Sequence, residues 1–437
     1  MKPKGLLIAV VLLAVLGGLV WWSNKKQASA DSTKKGADTT TKLLSIPDDQ
    51  FQNIRIKKVT GEVVDLDRSS GKWAITQPKP LPADQDAVSG IVTSLSNLNA
   101  DNTIEENASD LKQYGLADPT LDVTIKRKDG KTDELLIGDD TPTGAGVYAK
   151  LANSPKVVTV SSAVKTSVDK RPDDLRDKRL LTFDQDKITR VDLQAKGPAV
   201  EFGKDAQGEW QILKPRPLRA DSSAVNGVVD KLRDAKMDVT AGEDATKAFA
   251  GASKVAVATV ADARGNHTLE VRKDKDKNYY AKSSDVEGAY KVAADLGDGL
   301  DKGLDDFRNK KLFDFGFSDP SKVEVPGAVY DKSGDKWMSG GKPMDNSSVQ
   351  NLIDKLRDLT ATKFVDAAGG TPIFTATITS NSGKRVEKVT IRKQGDNYFA
   401  QRENEPSIYQ LDAKAVDDLQ AAVKDVKPAP PEAPKKK

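Results

Sequence analysis

A passage that combines a tryptophan, a proline-rich turn and an apolar helical pattern occurs three times in this chain of 437 residues. Its second copy reads WQILKPRPLRADSSAVNGVVDKL and spans residues 210–232, whereas the first spans 73–95 and the third, with a shorter loop, 337–356. The three tryptophans lie 137 and 127 residues apart, a spacing of domain size that is too long for a solenoid repeat. The chain is therefore predicted to hold three tandem copies of one domain.

Each copy of the passage predicts an amphipathic helix with a defined start. Counting from Asp84, Asp221 and Asp345, apolar residues fall at the fourth, seventh, eighth and eleventh following positions. This spacing places them on one face of a helix. Each aspartate is expected to be the N-cap, because its carboxylate can accept hydrogen bonds from the free amides of the first turn. The preceding prolines disfavour an earlier helix start.

Short alternating strands surround each passage. Two strands separated by a glycine turn precede the tryptophan, and four more follow the helix, which is typical of antiparallel hairpins. A second helix is predicted to close each repeat, starting at Ser162, Ala294 and Ala413. The predicted fold class is α+β, with an N-terminal transmembrane helix followed by three tandem repeats, each an antiparallel sheet with one or two packed helices.

A phrase shared by the ends of the first two repeats marks the predicted domain boundaries. It reads DLRDKRLLTFD at 174–184 and DFRNKKLFDFG at 306–316. We interpret it as a connector that docks neighbouring repeats, and a basic ligand-binding loop is the alternative. The predicted segments are a membrane anchor (1–27), a flexible tether (28–44), repeats at 45–185, 186–316 and 317–426, and a disordered Pro/Lys tail (427–437).

The first thirty residues predict export and a membrane anchor. The uncharged run Leu6–Trp22 follows Lys2 and Lys4 and ends in two tryptophans, which suit the membrane interface. As a helix it would extend about 25 Å, close to the hydrocarbon thickness of a bilayer. We therefore expect a single-pass protein of the bacterial inner membrane with most of its chain in the periplasm or otherwise outside the cytoplasm. A signal peptide that is cleaved after Ala30 is the alternative.

Composition removes several function classes. The chain has no cysteine, which excludes disulfides, thiolate catalysis and thiolate zinc sites. Its net charge is +3, and the tail after residue 426, with four lysines and one glutamate, supplies this excess. The rest of the chain is electrically balanced, so no nucleic-acid partner is expected.

Few residues are candidates for chemistry. His267, the one histidine, is expected to be an exposed turn residue without catalytic or metal partners. The glycine-rich stretch 138–146 lacks the Gly-Lys-Ser/Thr of a phosphate loop and is interpreted as a hairpin turn. Trp73, Trp210 and Trp337 are expected in the cores, with stacking on sugar rings as the alternative. No catalytic, cofactor-binding or metal-binding residue is predicted, and the chain is expected not to be an enzyme.

Three stretches resemble a known bacterial family. YGLADPTLDVTI (114–125), LLIGDDTPTGAGVYAKL (135–151) and DLRDKRLL (174–181) resemble the GL-x-x-P turn, the IG and Y-A hairpin and the R-D-K/R segment of the family called domain of unknown function 4340. The likeness is clearest over 45–185, looser over 186–316 and loosest in the third repeat. The resemblance implies a membrane-anchored, extracytoplasmic protein of tandem α+β units that accompanies ABC transporters of the gliding-motility type. It supplies no catalytic residues.

Two functions are compatible with these features. The first is a non-enzymatic, membrane-anchored scaffold or accessory protein attached to an ABC transporter or another envelope complex. The alternative is a glycan- or peptidoglycan-binding module whose exposed aromatic residues lie in grooves between repeats. No cofactor is predicted, and the sequence does not identify a small-molecule ligand.

Overall fold

The computed structural model describes residues 42–241, 245–317 and 320–431. Within these ranges no helix combines the length and the apolar character that crossing a bilayer requires. The predicted anchor at Leu6–Trp22 and the alternative cleavage point at Ala30 lie outside the described residues. The chain divides into two compact units between Asp177 and Lys178, so that the first repeat belongs to one unit and the second and third repeats belong to the other.

Each repeat combines one sheet with short helices. The first repeat contains β1 (Phe51–Lys58), β2 (Val63–Asp67), β3 (Ala74–Gln77), β4 (Leu81–Pro82), α1 (Gln85–Ser96), β5 (Asn102–Glu105), β6 (Leu121–Arg127), β7 (Thr132–Asp140), β8 (Gly146–Leu151), β9 (Val157–Ser161), α2 (Ser162–Val168) and α3 (Pro172–Leu175). The second contains β10 (Arg190–Gln194), β11 (Val200–Lys204), β12 (Trp210–Lys214), β13 (Leu218–Arg219), α4 (Ser222–Arg233), α5 (Thr246–Gly251), β14 (Ser253–Asp262), β15 (Gly265–Lys273), β16 (Tyr279–Ser283), β17 (Ala289–Val292) and α6 (Ala294–Leu300). The third contains β18 (Lys322–Val325), β19 (Ala328–Ser333), β20 (Lys336–Ser339), β21 (Lys342–Pro343), α7 (Asn346–Arg357), β22 (Lys363–Val365), β23 (Thr371–Ser380), β24 (Arg385–Gln394), β25 (Asn397–Arg402), β26 (Ile408–Leu411) and α8 (Ala413–Asp425).

The three sheets share one order of eight strands, and the first and third sheets add a ninth edge strand, β5 or β22. The order is β4-β3-β2-β1-β6-β7-β8-β9-β5 in the first repeat, β13-β12-β11-β10-β14-β15-β16-β17 in the second and β21-β20-β19-β18-β23-β24-β25-β26-β22 in the third. In each, a four-strand meander before the helix joins a second meander after it through antiparallel pairing of their first strands. The paired residues at equivalent positions are Ile54 with Ile125, Val191 with Val260, and Val323 with Ile378. This common topology confirms the prediction of tandem α+β repeats built on antiparallel sheets.

The recurrent passage forms the same strand, turn and helix in each repeat. The carboxylates of Asp84, Asp221 and Asp345 accept hydrogen bonds from first-turn amides of α1, α4 and α7, as predicted. The apolar positions of the three helices are buried: Val88, Ile91, Val92 and Leu95; Val225, Val228, Val229 and Leu232; and Val349, Leu352, Ile353 and Leu356. The closing helices α2, α6 and α8 also begin at the predicted residues. Local periodicity and capping therefore determine these elements.

A short lead-in segment opens each repeat upstream of the predicted starts at 45, 186 and 317. It consists of a basic residue followed by two apolar residues: Lys42-Leu43-Leu44, Arg179-Leu180-Leu181 and Lys311-Leu312-Phe313. The last residue of each segment is buried in the core of its own repeat. The phrase at 174–184 and 306–316 is thus divided between two repeats. Its second half opens the following repeat, whereas Leu175 and Phe307 in its first half belong to the cores of the preceding repeats.

The end of each repeat returns to the residue that caps its first long helix. The backbone pairs are Asp84 N with Leu175 O at 2.8 Å, Asp221 N with Phe307 O at 2.7 Å, and Asp345 N with Lys427 O at 2.9 Å. In the third repeat the accepting residue is an exposed lysine, and Ala429 N also donates to Pro343 O at 2.9 Å. The predicted disordered tail is therefore corrected at its start, since residues 427–429 are held by backbone hydrogen bonds.

Candidate functional site

The three recurrent tryptophans are core residues. Trp73, Trp210 and Trp337 are 5%, 4% and 3% exposed. Each is part of the hydrophobic core of its repeat. Rings that are buried in this way cannot stack on a sugar from solvent, which removes the main argument for the glycan-binding alternative.

The turn at Tyr114 and Gly115 packs directly on strand β7. Gly115 has a φ of +63°, a left-handed conformation that favours glycine. A Cβ atom at Gly138, within the IG sequence of β7, would lie 2.1 Å from the carbonyl oxygen of Tyr114. The YGL and IG sequences that resemble the family therefore form one close backbone contact. Of the stretch 138–146, which was predicted to be a hairpin turn, residues 141–145 form the turn, whereas 138–140 belong to β7 and 146 to β8.

Gly138→Ala is expected to lower the free energy of unfolding of the first repeat by about 1–3 kcal/mol. The added methyl group would overlap a backbone oxygen, which cannot rotate away as a flexible side chain can. Urea unfolding followed by tryptophan fluorescence measures the change. The control is Gly90→Ala in α1, where a Cβ meets no atom within 4 Å and where alanine is expected to stabilise the helix by about 0.5–1 kcal/mol. Equal stability of the Gly138 variant and the wild type would contradict the contact.

His267 differs from its predicted environment. It lies in strand β15 rather than in an exposed turn, and its side chain is 12% exposed. Its Nδ1 atom lies 2.7 Å from Asp285 Oδ2, and its Nε2 atom lies 3.2 Å from Asp262 Oδ1. The pairing of β14 with β15 places the ring between two carboxylates that come from different turns, which the sequence spacing did not reveal.

The two carboxylates beside His267 hold the chain that follows the second lead-in segment. Asp285 Oδ2 accepts from Thr182 N at 2.9 Å, and Asp262 Oδ2 accepts from Asp184 N at 2.7 Å. The hydrogen bond from the backbone amide of Asp184 keeps the pKa of Asp262 well below its usual range, although burial opposes the charge. This arrangement fixes the start of the second repeat to its second meander.

Asp262→Asn is expected to flatten the acid limb of the stability profile. The folded-state pKa of Asp262 is lowered, so its contribution is fully present above the unfolded-state value near 4 and is lost as the pH falls below it. Urea midpoints at pH 7, 4, 3 and 2.5 should fall less steeply in the variant, which should also be the less stable protein at pH 7. Asp276→Asn, at an exposed hairpin position, is the control. An unchanged acid limb would contradict the assignment.

The position of His267 carries different charged residues in the other repeats. In the same register, Glu387 occupies it in the third repeat and Asp133 in the first. Asp133 bonds to Arg127 Nε at 2.6 Å, and Glu387 bonds to Arg402 Nη2 at 3.1 Å. Each repeat therefore forms a polar contact of its own composition here, so no recurrent sequence pattern marks the position.

A charged cluster centred on Arg219 joins the second and third repeats. Arg219 lies at the end of β13 and its side chain is 15% exposed. Its guanidinium pairs with Asp314 and with Glu405, the latter at 2.8 Å, and donates to the Tyr409 hydroxyl at 3.0 Å. Burial opposes its charge, but Asp314, Tyr409 and Glu405 outweigh this effect and raise the pKa of Arg219. Burial also raises the pKa of Tyr409 to about 12.

Two further arginines extend the cluster. Arg402 donates to the carbonyl oxygen of Leu312 at 2.5 Å and to Glu405 at 2.8 Å. Arg385 donates to Glu209, a residue of the second repeat, at 3.2 Å. These contacts tie the third lead-in segment and the second repeat to the strands of the third repeat.

The arginine of the connector phrase contributes to the same junction. Arg308 is 8% exposed, and its guanidinium carbon lies 3.4 Å from the ring centroid of Phe364. Its Nη2 atom donates to the Ser407 hydroxyl at 3.1 Å. These contacts support the connector interpretation for this junction, because residues of the third repeat hold the arginine that ends the second.

The junction has the chemistry of a structural joint. The carboxylates of Asp314 and Glu405 are engaged by Arg219 and Arg402, so neither is left as a free general acid or base. Over the described ranges, no group of three or more His, Asp or Glu side chains is arranged to hold a metal ion. Beside the cluster lies a cleft of about 460 Å³ lined by residues of both repeats.

Comparison with protein families matches two overlapping segments of the chain. A family model described as a domain of unknown function (DUF4340) matches residues 73–248 and 210–372. The matches begin at Trp73 and Trp210, which are equivalent positions of consecutive repeats, and each match extends into the following repeat. No curated protein and no solved structure matches the chain.

Proposed function

This chain belongs to the DUF4340 family, and from that premise we propose that it is a non-enzymatic accessory protein of the bacterial envelope. The segment Leu6–Trp22 anchors it in the inner membrane, and the repeats stand outside the cytoplasm. Its partner is a membrane-protein complex of the envelope, and an ABC transporter is the partner that the family resemblance favours.

The observation that carries this proposal is the closed ionic cluster at the junction of the second and third repeats. Glu405 pairs with both Arg219 and Arg402, and Arg402 also donates to a carbonyl oxygen of the chain between the repeats. An enzyme needs ionisable groups that can reach a substrate, whereas groups paired in this way hold two domains in a fixed relation. Two repeats that are held in a fixed relation suit a protein that presents a surface to a partner.

The repeated cores support the same proposal. Each recurrent tryptophan and helix face is used for packing inside its own repeat, so the triplicated passage serves stability. Duplicated folds that differ on their surfaces are suited to binding different parts of one assembly. The three recurrent tryptophans offer no surface to a glycan, because all three are buried.

In-cell crosslinking of the full chain tests the proposal. The chain has no cysteine, so a single introduced cysteine, such as Thr93→Cys on the exposed face of α1, carries a photocrosslinker without background. We expect the protein in the membrane fraction after carbonate washing, crosslinked to a specific envelope protein. Removal of residues 1–27 should release it from the membrane. Crosslinks only between copies of the chain, or loss of the full chain from the membrane in carbonate, would contradict the proposal.

A further inference from the structure

The cleft at the junction of the second and third repeats has an uneven charge distribution. Both repeats belong to the compact unit that begins at Lys178. The carboxylates that line the cleft are Glu209, Asp221 and Asp314. Glu209 pairs with Arg385, Asp314 pairs with Arg219, and Asp221 caps α4 by accepting from Ser223 N at 2.9 Å. These carboxylates are therefore engaged within the protein.

Two lysines that line the same cleft have no carboxylate partner within the described ranges. Lys310 and Lys311 are both exposed, and no carboxylate of the described ranges lies within ion-pair distance of either amine. Their backbones are fixed, since Lys310 O accepts from Ala361 N at 2.9 Å and Lys311 N donates to Asn309 Oδ1 at 2.9 Å. The cleft thus presents two positive charges on a rigid backbone.

An exposed aromatic ring lies next to the cleft. Phe317 is 92% exposed and directly follows Gly316, which lines the cleft. The guanidinium carbon of Arg357 lies 5.3 Å from the centroid of the Phe317 ring, and Arg357 Nε donates to Gly316 O at 2.6 Å. Phe317 thus presents an apolar surface to solvent beside the cleft, where Arg357 contacts both its ring and the preceding backbone.

We propose that this cleft binds an acidic peptide segment of the envelope partner, with carboxylates on Lys310 and Lys311 and an apolar side chain on Phe317. The inference rests on the proposed function, since it names the surface that contacts the partner. Charge complementarity selects an acidic segment, and the exposed ring selects a peptide over a simple anion. The tail of this chain is not the occupant, because it carries four lysines against one glutamate.

Binding of a defined peptide to the purified full chain tests the surface. The probe is a fluorescein-labelled peptide Asp-Glu-Leu-Glu-Asp, and its counterpart has lysine at the four acidic positions. We expect the acidic probe to bind and the lysine probe not to bind. The double variant Lys310→Glu/Lys311→Glu should weaken binding at least about tenfold. Phe317→Ser should weaken binding both in the wild-type background and in the Lys310→Glu/Lys311→Glu background. The matched control Lys254→Glu/Lys275→Glu, at exposed lysines outside the cleft, should bind like the wild type.

Three outcomes would overturn the inference. They are equal binding of the two probes, unchanged binding by the Lys310/Lys311 variant, and complete displacement of the probe by inorganic phosphate at the probe's own concentration. The last outcome would identify the cleft as a site for a small anion instead of a peptide.

Crosslinking separates failure of this inference from failure of the proposed function. Ser223→Cys places the crosslinker in the cleft, whereas Thr93→Cys places it on the first repeat. A partner captured from Ser223 and lost in the Lys310→Glu/Lys311→Glu background supports the cleft. A partner captured from Thr93 alone refutes the cleft and leaves the accessory role standing, and capture from neither position refutes both.

Discussion

Arg219→Met is expected to lower the free energy of unfolding of the second and third repeats by about 3 kcal/mol. The side chains of Asp314 and Glu405 are only 23% and 21% exposed, so the substitution would leave two partly buried carboxylates with Arg402 as their shared cation. The loss should also uncouple the two repeats, because the same guanidinium bonds to residues of the third repeat from a strand of the second. Urea unfolding monitored by circular dichroism should change from one shared transition of these repeats to two.

Two comparisons make the Arg219 prediction specific. Arg216→Met removes the same charge three residues upstream, at an exposed position, and should change stability by less than about 0.5 kcal/mol. The double variant Arg219→Met/Asp314→Asn should recover part of the loss, since it removes one of the two carboxylates that would share Arg402. A loss below about 0.5 kcal/mol for Arg219→Met would mean that solvent screens the cluster and that it does not hold the joint.

Trp337→Ala is expected to cost about 3–5 kcal/mol of unfolding free energy in the third repeat. The side chain is 3% exposed and packs in the core that also contains Leu352 and Tyr398. Truncation removes a large apolar surface and leaves a cavity that the sheet and α7 cannot fill by small shifts. Thermal and urea unfolding, followed by circular dichroism because the variant lacks this fluorophore, measure the effect.

The control for Trp337 is Val386→Ala. Val386 is 63% exposed, so its truncation should change stability by less than about 0.5 kcal/mol. Trp337→Phe should fall between the two variants, since it retains most of the apolar volume. Wild-type stability in Trp337→Ala would show that the recurrent tryptophan is not a packing residue and would restore the argument for ligand stacking.

The exit of the third repeat differs from the exits of the first two repeats. In the first two repeats the residue that bonds to the helix cap is Leu175 or Phe307, each fully buried. In the third this residue is Lys427, and the closing helix α8 has 13 residues, whereas α2 and α6 have 7 each. The third repeat therefore closes with a longer helix and an exposed lysine in place of a short helix and a buried apolar residue.

Several elements could be predicted because their causes lie within a few residues. The stripe of α1, its cap at Asp84 and the equivalent features of α4 and α7 depend on helical periodicity and on one hydrogen-bonding side chain. The lead-in segments also recur, as a basic residue and two apolar residues, but this pattern was missed because it falls within the connector phrase. A comparison with residues 42–44 would have revealed it.

Sequence alone determined the repeated α+β fold, because helix periodicity, capping and turn-forming glycines act locally and are written three times in this chain. Tertiary structure decided the surroundings of His267 and the junction at Arg219. Arg219 is separated from Asp314 by 95 positions and from Tyr409 by 190. These residues meet only after two sheets have formed and packed. Arg219 has no counterpart in the other repeats, where the equivalent strands end in Pro82 and Pro343, so no spacing or repetition in the chain could indicate the contact.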